Sequence, residues 1–256
     1  MMHENQSPPE LDASPLTPEG SSPSGGLFKP IVDIFFEPAA AFRSLAVRPT
    51  WIWAAVITIL VVMASQVVIS SRIDMEDVIR RSMAARQQNG PELTEAQMEQ
   101  AVKAATVFGR VSLLASPLVV PAILALLAAI YLGLLRLIGS EIGFKPVFST
   151  VIHASLPAMV VKSALTLVVV LQRASIDPTR MGGLLKSNLG ALLPEGTAKP
   201  LVALASMVDV FNIWQWVLLV MGFTLVARVR RNQAIGVVAV AWGAWTLVRV
   251  GLAFLR

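Results

Sequence analysis

The sequence predicts an all-α polytopic membrane protein, with a five-helix transmembrane bundle, an N-terminal interfacial helix and a polar helical hairpin between spans 1 and 2. Three observations predict it. Five long apolar stretches occupy most of the 256 residues, and a hydrocarbon core of roughly 30 Å needs about 20 such residues in a helix. The stretches lack the period-2 alternation of barrel strands, so a helix is the form that satisfies its own backbone in lipid. Finally, many of the basic residues in a chain with 21 Lys and Arg against 16 Asp and Glu gather at the ends of these stretches. The resulting pI of 10.1 would point to nucleic acid in a soluble protein; beside spans it reads as anchoring and orientation, and no nucleic-acid partner is expected.

Residues 1–26, MMHENQSPPELDASPLTPEGSSPSGG, are rich in Pro, Ser, Gly and acid and bury too little apolar surface to offset ordering, which predicts a disordered tail. Their acidic, polar start lacks the basic and then apolar pattern of a signal peptide. The first span is therefore expected to stay uncleaved and the mature chain to be the whole chain. The membrane domain is expected to occupy 27–256.

From Leu27 to Val47, Ile31, Ile34, Phe35, Phe42 and Leu45 recur near helical spacing while Asp33, Glu37, Ser44 and Arg48 fall elsewhere on the wheel. This predicts an amphipathic helix in the membrane interface, with a partner-binding helix as the competing reading. Pro30 suits a first helical turn, and Pro38 predicts a break or restart. Pro49 separates this element from the first span, 51–70, where Trp51 and Trp53 are expected as interfacial anchors.

Ser71 to Arg110 is polar with mixed charge and reads as two helices joined by a turn at Asn89-Gly90-Pro91. Thr94 with Gln97 fits a capping box, and Met98, Val102 and Ala105 form a modest apolar stripe. A solvated hairpin on the membrane surface is expected. The second span, 111–135, contains Pro117 and Pro121, which remove backbone donors and should kink it; irregular helix packing and gating both remain open. The third, 147–171, carries His153 and Lys162. The segment Gln172 to Met207, with turn signals at Asp177-Pro178, Gly182-Gly183 and Pro194-Glu195-Gly196, is expected to rest partly in the interface.

The last two spans, 210–227 and 234–253, are shorter and flank a turn with Arg228, Arg230 and Arg231. Five crossings put the termini on opposite sides. The N-terminal side then holds Lys29, Arg43, Arg48, Arg136, Lys145 and the three turn arginines in short segments, which predicts a cytoplasmic N-terminus in the cell (inner) membrane.

Chemistry-bearing motifs are sparse. No GxSxG, HExxH, Walker loop or GxGxxG occurs, cysteine is absent, and the two histidines are His3 and His153; no catalytic, cofactor-binding or metal-binding residue is predicted. His153 is either a packing residue or a proton relay. Ionisable groups inside spans carry a functional hypothesis by default. Lys162 and Arg249 lie about fifteen residues into parallel spans, roughly 22 Å up the helix. Asp209 begins the antiparallel span between them, so it is the expected counter-ion of Arg249, of Lys162 or of both. Such a cluster is either a structural latch or a substrate or ion site. Gly222, Gly236 and Gly243 permit close helix approach. Trp242, Trp245 and Arg249 form one stripe, and Trp214 and Trp216 pack or anchor.

The stretch DVFNIWQWVLLVMGFTLVARVRRNQAIGVVAVAWGAW resembles the Yip domain family, named for proteins that interact with Ypt and Rab GTPases. It has an acid-Val-Phe-polar-Ile-Trp opening, a Gly-containing span, a short basic turn and a Trp-containing last span; the residues that carry the match are Asp209, Phe211, Trp214 and Gly222. FEPAAAFRSLAVRPTWIWA, with Pro38, Phe42 and Pro49, resembles the family's lead-in to its first span. ELTEAQMEQA resembles the polar hairpin of bacterial-type members, and HASLPAMV the start of their third span. The resemblance runs from about Leu27 to the C-terminus. It implies a five-helix membrane domain with a cytoplasmic N-terminus and, in eukaryotes, a role in vesicle traffic and membrane shaping through GTPase and self-association partners. Bacterial members have no Rab system to serve, and the family supplies no catalytic residue to carry over.

Two functions follow as expectations. The first is a non-enzymatic scaffold or adaptor whose partners are the lipid bilayer, further copies of itself or other membrane proteins. The second is a small-solute transporter or channel using Lys162, Asp209 and Arg249; an intramembrane enzyme stands third. A water-accessible seam through Gln66, Lys162 and Asn212 would favour transport, and a dry bundle would favour the scaffold.

Overall fold

The computed structural model describes residues 28–74, 77–79, 94–173, 176, 183–194 and 196–254. The expected disordered tail and the turns at Asn89-Gly90-Pro91 and Asp177-Pro178 lie outside them. Among the described residues the named elements are all helical, and a single bridge joins Asn188 to Asp209. We label the helices α1 (Lys29–Phe36), α2 (Pro38–Val47), α3 (Ile52–Ser70), α4 (Glu95–Leu137), α5 (Phe144–Leu171), α6 (Lys199–Ala205), α7 (Val210–Val226) and α8 (Arg231–Phe254). Four of them, α3, α4, α5 and α8, are long and apolar enough to cross a membrane, and α7, at 17 residues, is a shorter apolar helix.

The N-terminal amphipathic segment is two helices. Its chain breaks at Glu37 and restarts with Pro38 in the first turn of α2, where a missing N–H costs nothing. The stripe read as interfacial faces protein: Ile34, Phe42 and Leu45 are fully buried, with α2 packed on α7 and α5, and α1 on α5. A helical apolar stripe has the same pattern whether lipid or protein covers it. What α1 leaves outward is a second row, Phe28, Val32 and Phe36, at steps of four residues.

The capping box at Thr94 is present: its side chain accepts from the Gln97 N–H at 3.4 Å, while the Gln97 side chain accepts from the Thr94 N–H at 3.0 Å. The helix that starts there does not form a separate hairpin arm. It continues into the second span as one helix of 43 residues, about 65 Å long at 1.5 Å per residue, twice the hydrocarbon thickness. The physical reason is that Glu95–Ser116 contains no proline, and Gly109 alone costs only about 1 kcal/mol. Helix α4 also runs through Pro117 and Pro121. Proline at 117 deprives the Leu113 carbonyl of its N–H, and the Ser116 hydroxyl donates to that carbonyl at 2.8 Å.

Helix α5 is central, with α3, α4 and α7 around it and α2 capping one end. Its first half is buried nearly all round, from Val147 to Ala154 and again at Leu156, Pro157 and Ala158, whereas most of its second half is half-buried or exposed. The core therefore sits toward the end of the bundle where the interhelical connections are short. Trp51 packs edge-on against Phe148 at 5.4 Å there, and the Ser149 hydroxyl donates to the Thr50 carbonyl at 2.6 Å. At the opposite end Arg72 donates to the Arg173 carbonyl at 3.3 Å, and the Ile176 N–H donates to Arg72 at 2.9 Å.

Candidate functional site: the polar seam between α5 and α7

Helices α5 and α7 run antiparallel, and three paired positions fix their register. At the short-connection end Gly222 faces Thr150: a Cβ at 222 would collide with the Thr150 methyl and come within 2.9 Å of the Phe42 ring. Only a residue without a side chain lets α2, α5 and α7 converge there. In the middle the Gln215 amide donates to the Ser155 hydroxyl at 2.7 Å. At the far end Lys162 Nζ lies 3.1 Å from Asp209 Oδ2. From residue 150 to residue 162 this ladder covers about 18 Å of helix, over half the hydrocarbon thickness.

Asp209 is placed by its role as N-cap of α7. Extended backbone at this residue lets Oδ1 accept from the Phe211 N–H at 2.8 Å, satisfying one of the donors that a helix start leaves free. Its other oxygen accepts from the Ser187 hydroxyl at 2.9 Å as well as from Lys162. A buried carboxylate is costly unless hydrogen-bonded; this one is 3% exposed and has three donors. The loop that brings Ser187 is held by backbone bonds from Val210 to Ser187 and from Leu189 to Val208, both 3.1 Å. Its turn presses on the end of α6 at Gly190, where a Cβ would meet the Val202 carbonyl at 2.9 Å.

Lys162 emerges from the less buried half of α5, its side chain 45% exposed and its ammonium 5.5 Å from the centre of the Phe211 ring, within the range of a cation–π contact. Arg249, by contrast, is exposed on α8 and forms no ion pair with Asp209. Equal depth along the spans leaves their azimuth undetermined, and α8 turns Arg249 away from Asp209. Trp242 and Trp245 also part: Trp242 packs edge-on against Trp216 at 5.0 Å, and Trp245 is exposed. Trp214 is part-buried against the core. Phe211 is buried beside the cap.

The remaining sequence candidates are local. His153 is 1% exposed and its Nδ1 meets the Ser149 carbonyl of its own helix at 2.8 Å, an acceptor that requires the proton on Nδ1. Asn212 donates to the Met207 carbonyl at 3.3 Å, and Gln66 is part-buried on α3. Trp53 is exposed and its ring meets Phe28 at 4.9 Å. Pro38 opens α2, and Pro49 lies between α2 and α3. Ser155, Ser187 and Gln215 were missed by sequence reading. Serine and glutamine inside or beside an apolar run were the available signal, but nothing in the sequence paired them.

Sequence comparison adds the family. No curated protein and no solved structure matches the chain, whereas the family model described as the Yip1 domain matches residues 32–252, most of its length and all the helices from α2 to α7. This chain is a multi-pass membrane protein and belongs to the Yip1 domain family.

Proposed function

We propose that the protein is a non-enzymatic scaffold or adaptor of the cell membrane, its domain 27–256 crossing the bilayer five times with the N-terminus in the cytoplasm. Helix α7 supplies the fifth crossing: 17 residues lie at the lower limit of a span, and Asp209 and Arg228 bound it. The basic residues of the short segments supply the orientation. The observation that supports the scaffold reading is the direct contact along the α5–α7 seam, with Gly222 against Thr150 and Phe42 and the part-buried Gln215 donating to Ser155. In this reading Lys162 and Asp209 form a latch. The polar start of α4, beyond the apolar run, and the outward row of α1 are the surfaces left for protein and lipid contacts.

Transport is the second reading, favoured by the 45% exposure of the Lys162 side chain next to a buried acid. Crosslinking in native membranes followed by mass spectrometry tests the first reading: recurrent protein partners or self-association support an adaptor, and an isolated chain with a tightly held small molecule contradicts it. Flux into reconstituted vesicles that falls on Lys162→Ala substitution would move the assignment to transport.

A further inference from the structure

At the short-connection end, the α4–α5 and α7–α8 turns flank an open polar cleft of about 570 Å³, with Ser140 and the exposed Glu141, Arg228 and Gln233 among its lining residues. The two turns solve the same problem differently. Helix α4 ends in a Schellman motif, in which Gly139 (φ +88°) donates to Arg136 and Ser140 donates to Leu135, both at 3.0 Å; Gly is the usual residue at that left-handed position. Helix α7 ends with Arg228 at φ +53°, the equivalent left-handed place, where any residue with a Cβ is strained. The glycine solution is absent where the side chain lines the cleft.

Arg228 makes no ion pair or hydrogen bond among the described residues, although Glu141 lines the same cleft. Of the helix-end carbonyls here, Leu135 and Arg136 accept the Schellman bonds and Ala227 accepts from the Ser140 hydroxyl at 3.5 Å. Arg230 and Arg231 follow in the same turn and Arg136 lies one helical turn from its rim. With α7 crossing the bilayer, this turn stands at headgroup depth. A guanidinium with a forked donor set matches a phosphate, and an unpaired carboxylate across the cleft matches an ammonium.

We propose that this cleft binds a phosphoethanolamine group, its phosphate on Arg228 with Gln233 and its ammonium on Glu141, supplied either by an aminophospholipid or by a soluble phosphoethanolamine. The inference rests on the five-crossing reading and is independent of the scaffold role.

Thermal unfolding of the full chain in detergent, with phosphatidylethanolamine, phosphatidylglycerol or phosphatidylcholine added, tests it. Phosphatidylethanolamine raises the midpoint above phosphatidylcholine by about 3 °C. Arg228→Gly abolishes that difference while leaving the midpoint in phosphatidylcholine unchanged or higher, because glycine relieves the left-handed strain; a purely structural arginine would lose stability equally in every lipid. Glu141→Gln removes the preference for phosphatidylethanolamine over phosphatidylglycerol. Free phosphoethanolamine reproducing the shift identifies a soluble ligand for the same cleft, and its failure to do so identifies the lipid. No difference between phosphatidylethanolamine and phosphatidylcholine in the wild type, phosphatidylglycerol equal to phosphatidylethanolamine, or a shift that survives Arg228→Gly would overturn the proposal.

Discussion

The two ends of this bundle are held by different physics. At one end short turns bring α2, α3, α5 and α7 together around Phe42, Leu45, Val147 and Val151, all fully buried, and closure comes from shape. At the other end the connections are long, α5 is only partly covered, and closure comes from named polar contacts: Lys162 and Ser187 on Asp209, and Arg72 on Arg173. In a bilayer, association between spans gains little from hydrophobicity and depends on close fit and hydrogen bonds. This chain divides those two devices between its ends. Damage should therefore scale with volume at the first end and with lost donors at the second.

The most severe test is Gly222→Leu. With the Thr150 methyl and the Phe42 ring already against the missing Cβ, no rotamer of leucine fits, and folded protein should be lost from detergent extracts as judged by size-exclusion chromatography. Recovery of wild-type yield would show that α2 is not seated on α7. Next comes Phe42→Ala, which empties a fully buried aromatic site and should cost about 3–5 kcal/mol. Its unfolding midpoint should fall further than that of any single polar variant at the opposite end.

Asp209→Ala removes the α7 cap and leaves Lys162 and Ser187 without their acceptor. A loss of about 2–3 kcal/mol is expected from the cap and the hydrogen bonds together; Asp209→Asn, which keeps an acceptor for Phe211, should lose less. Unchanged thermal stability in Asp209→Ala would remove the latch. The smallest effect belongs to the middle rung. A double-mutant cycle of Ser155→Ala and Gln215→Ala should return a coupling of about 0.6 kcal/mol, the usual scale for hydrogen bonds between membrane helices, and a value near zero would mean that the two side chains do not meet.

What could be read from sequence follows the same division. Apolar length marked the spans, Pro38 marked the restart of α2, and Thr94 with Gln97 marked the start of α4, because each signal is local. Counting residues up antiparallel spans brought Lys162 to the depth of Asp209. It brought Arg249 there equally, since depth carries no information about which way a helix is turned. The seating of Phe42 on Gly222 was beyond reach for a related reason: an amphipathic stripe records that something apolar covers it and does not record what. Arg228 gave no warning either, because a left-handed residue is ordinarily announced by glycine.

Because the chain has no cysteine, the α5–α7 seam can be probed one introduced thiol at a time. The most direct measurement is labelling of Gln215→Cys by a membrane-impermeant thiol reagent applied to each face of intact membranes, with Glu99→Cys, on the exposed polar start of α4, as the reactive control. A dry seam predicts rapid labelling at 99 and none at 215 from either side. Labelling at 215 at a comparable rate would show a water path between α5 and α7 and would contradict the scaffold account.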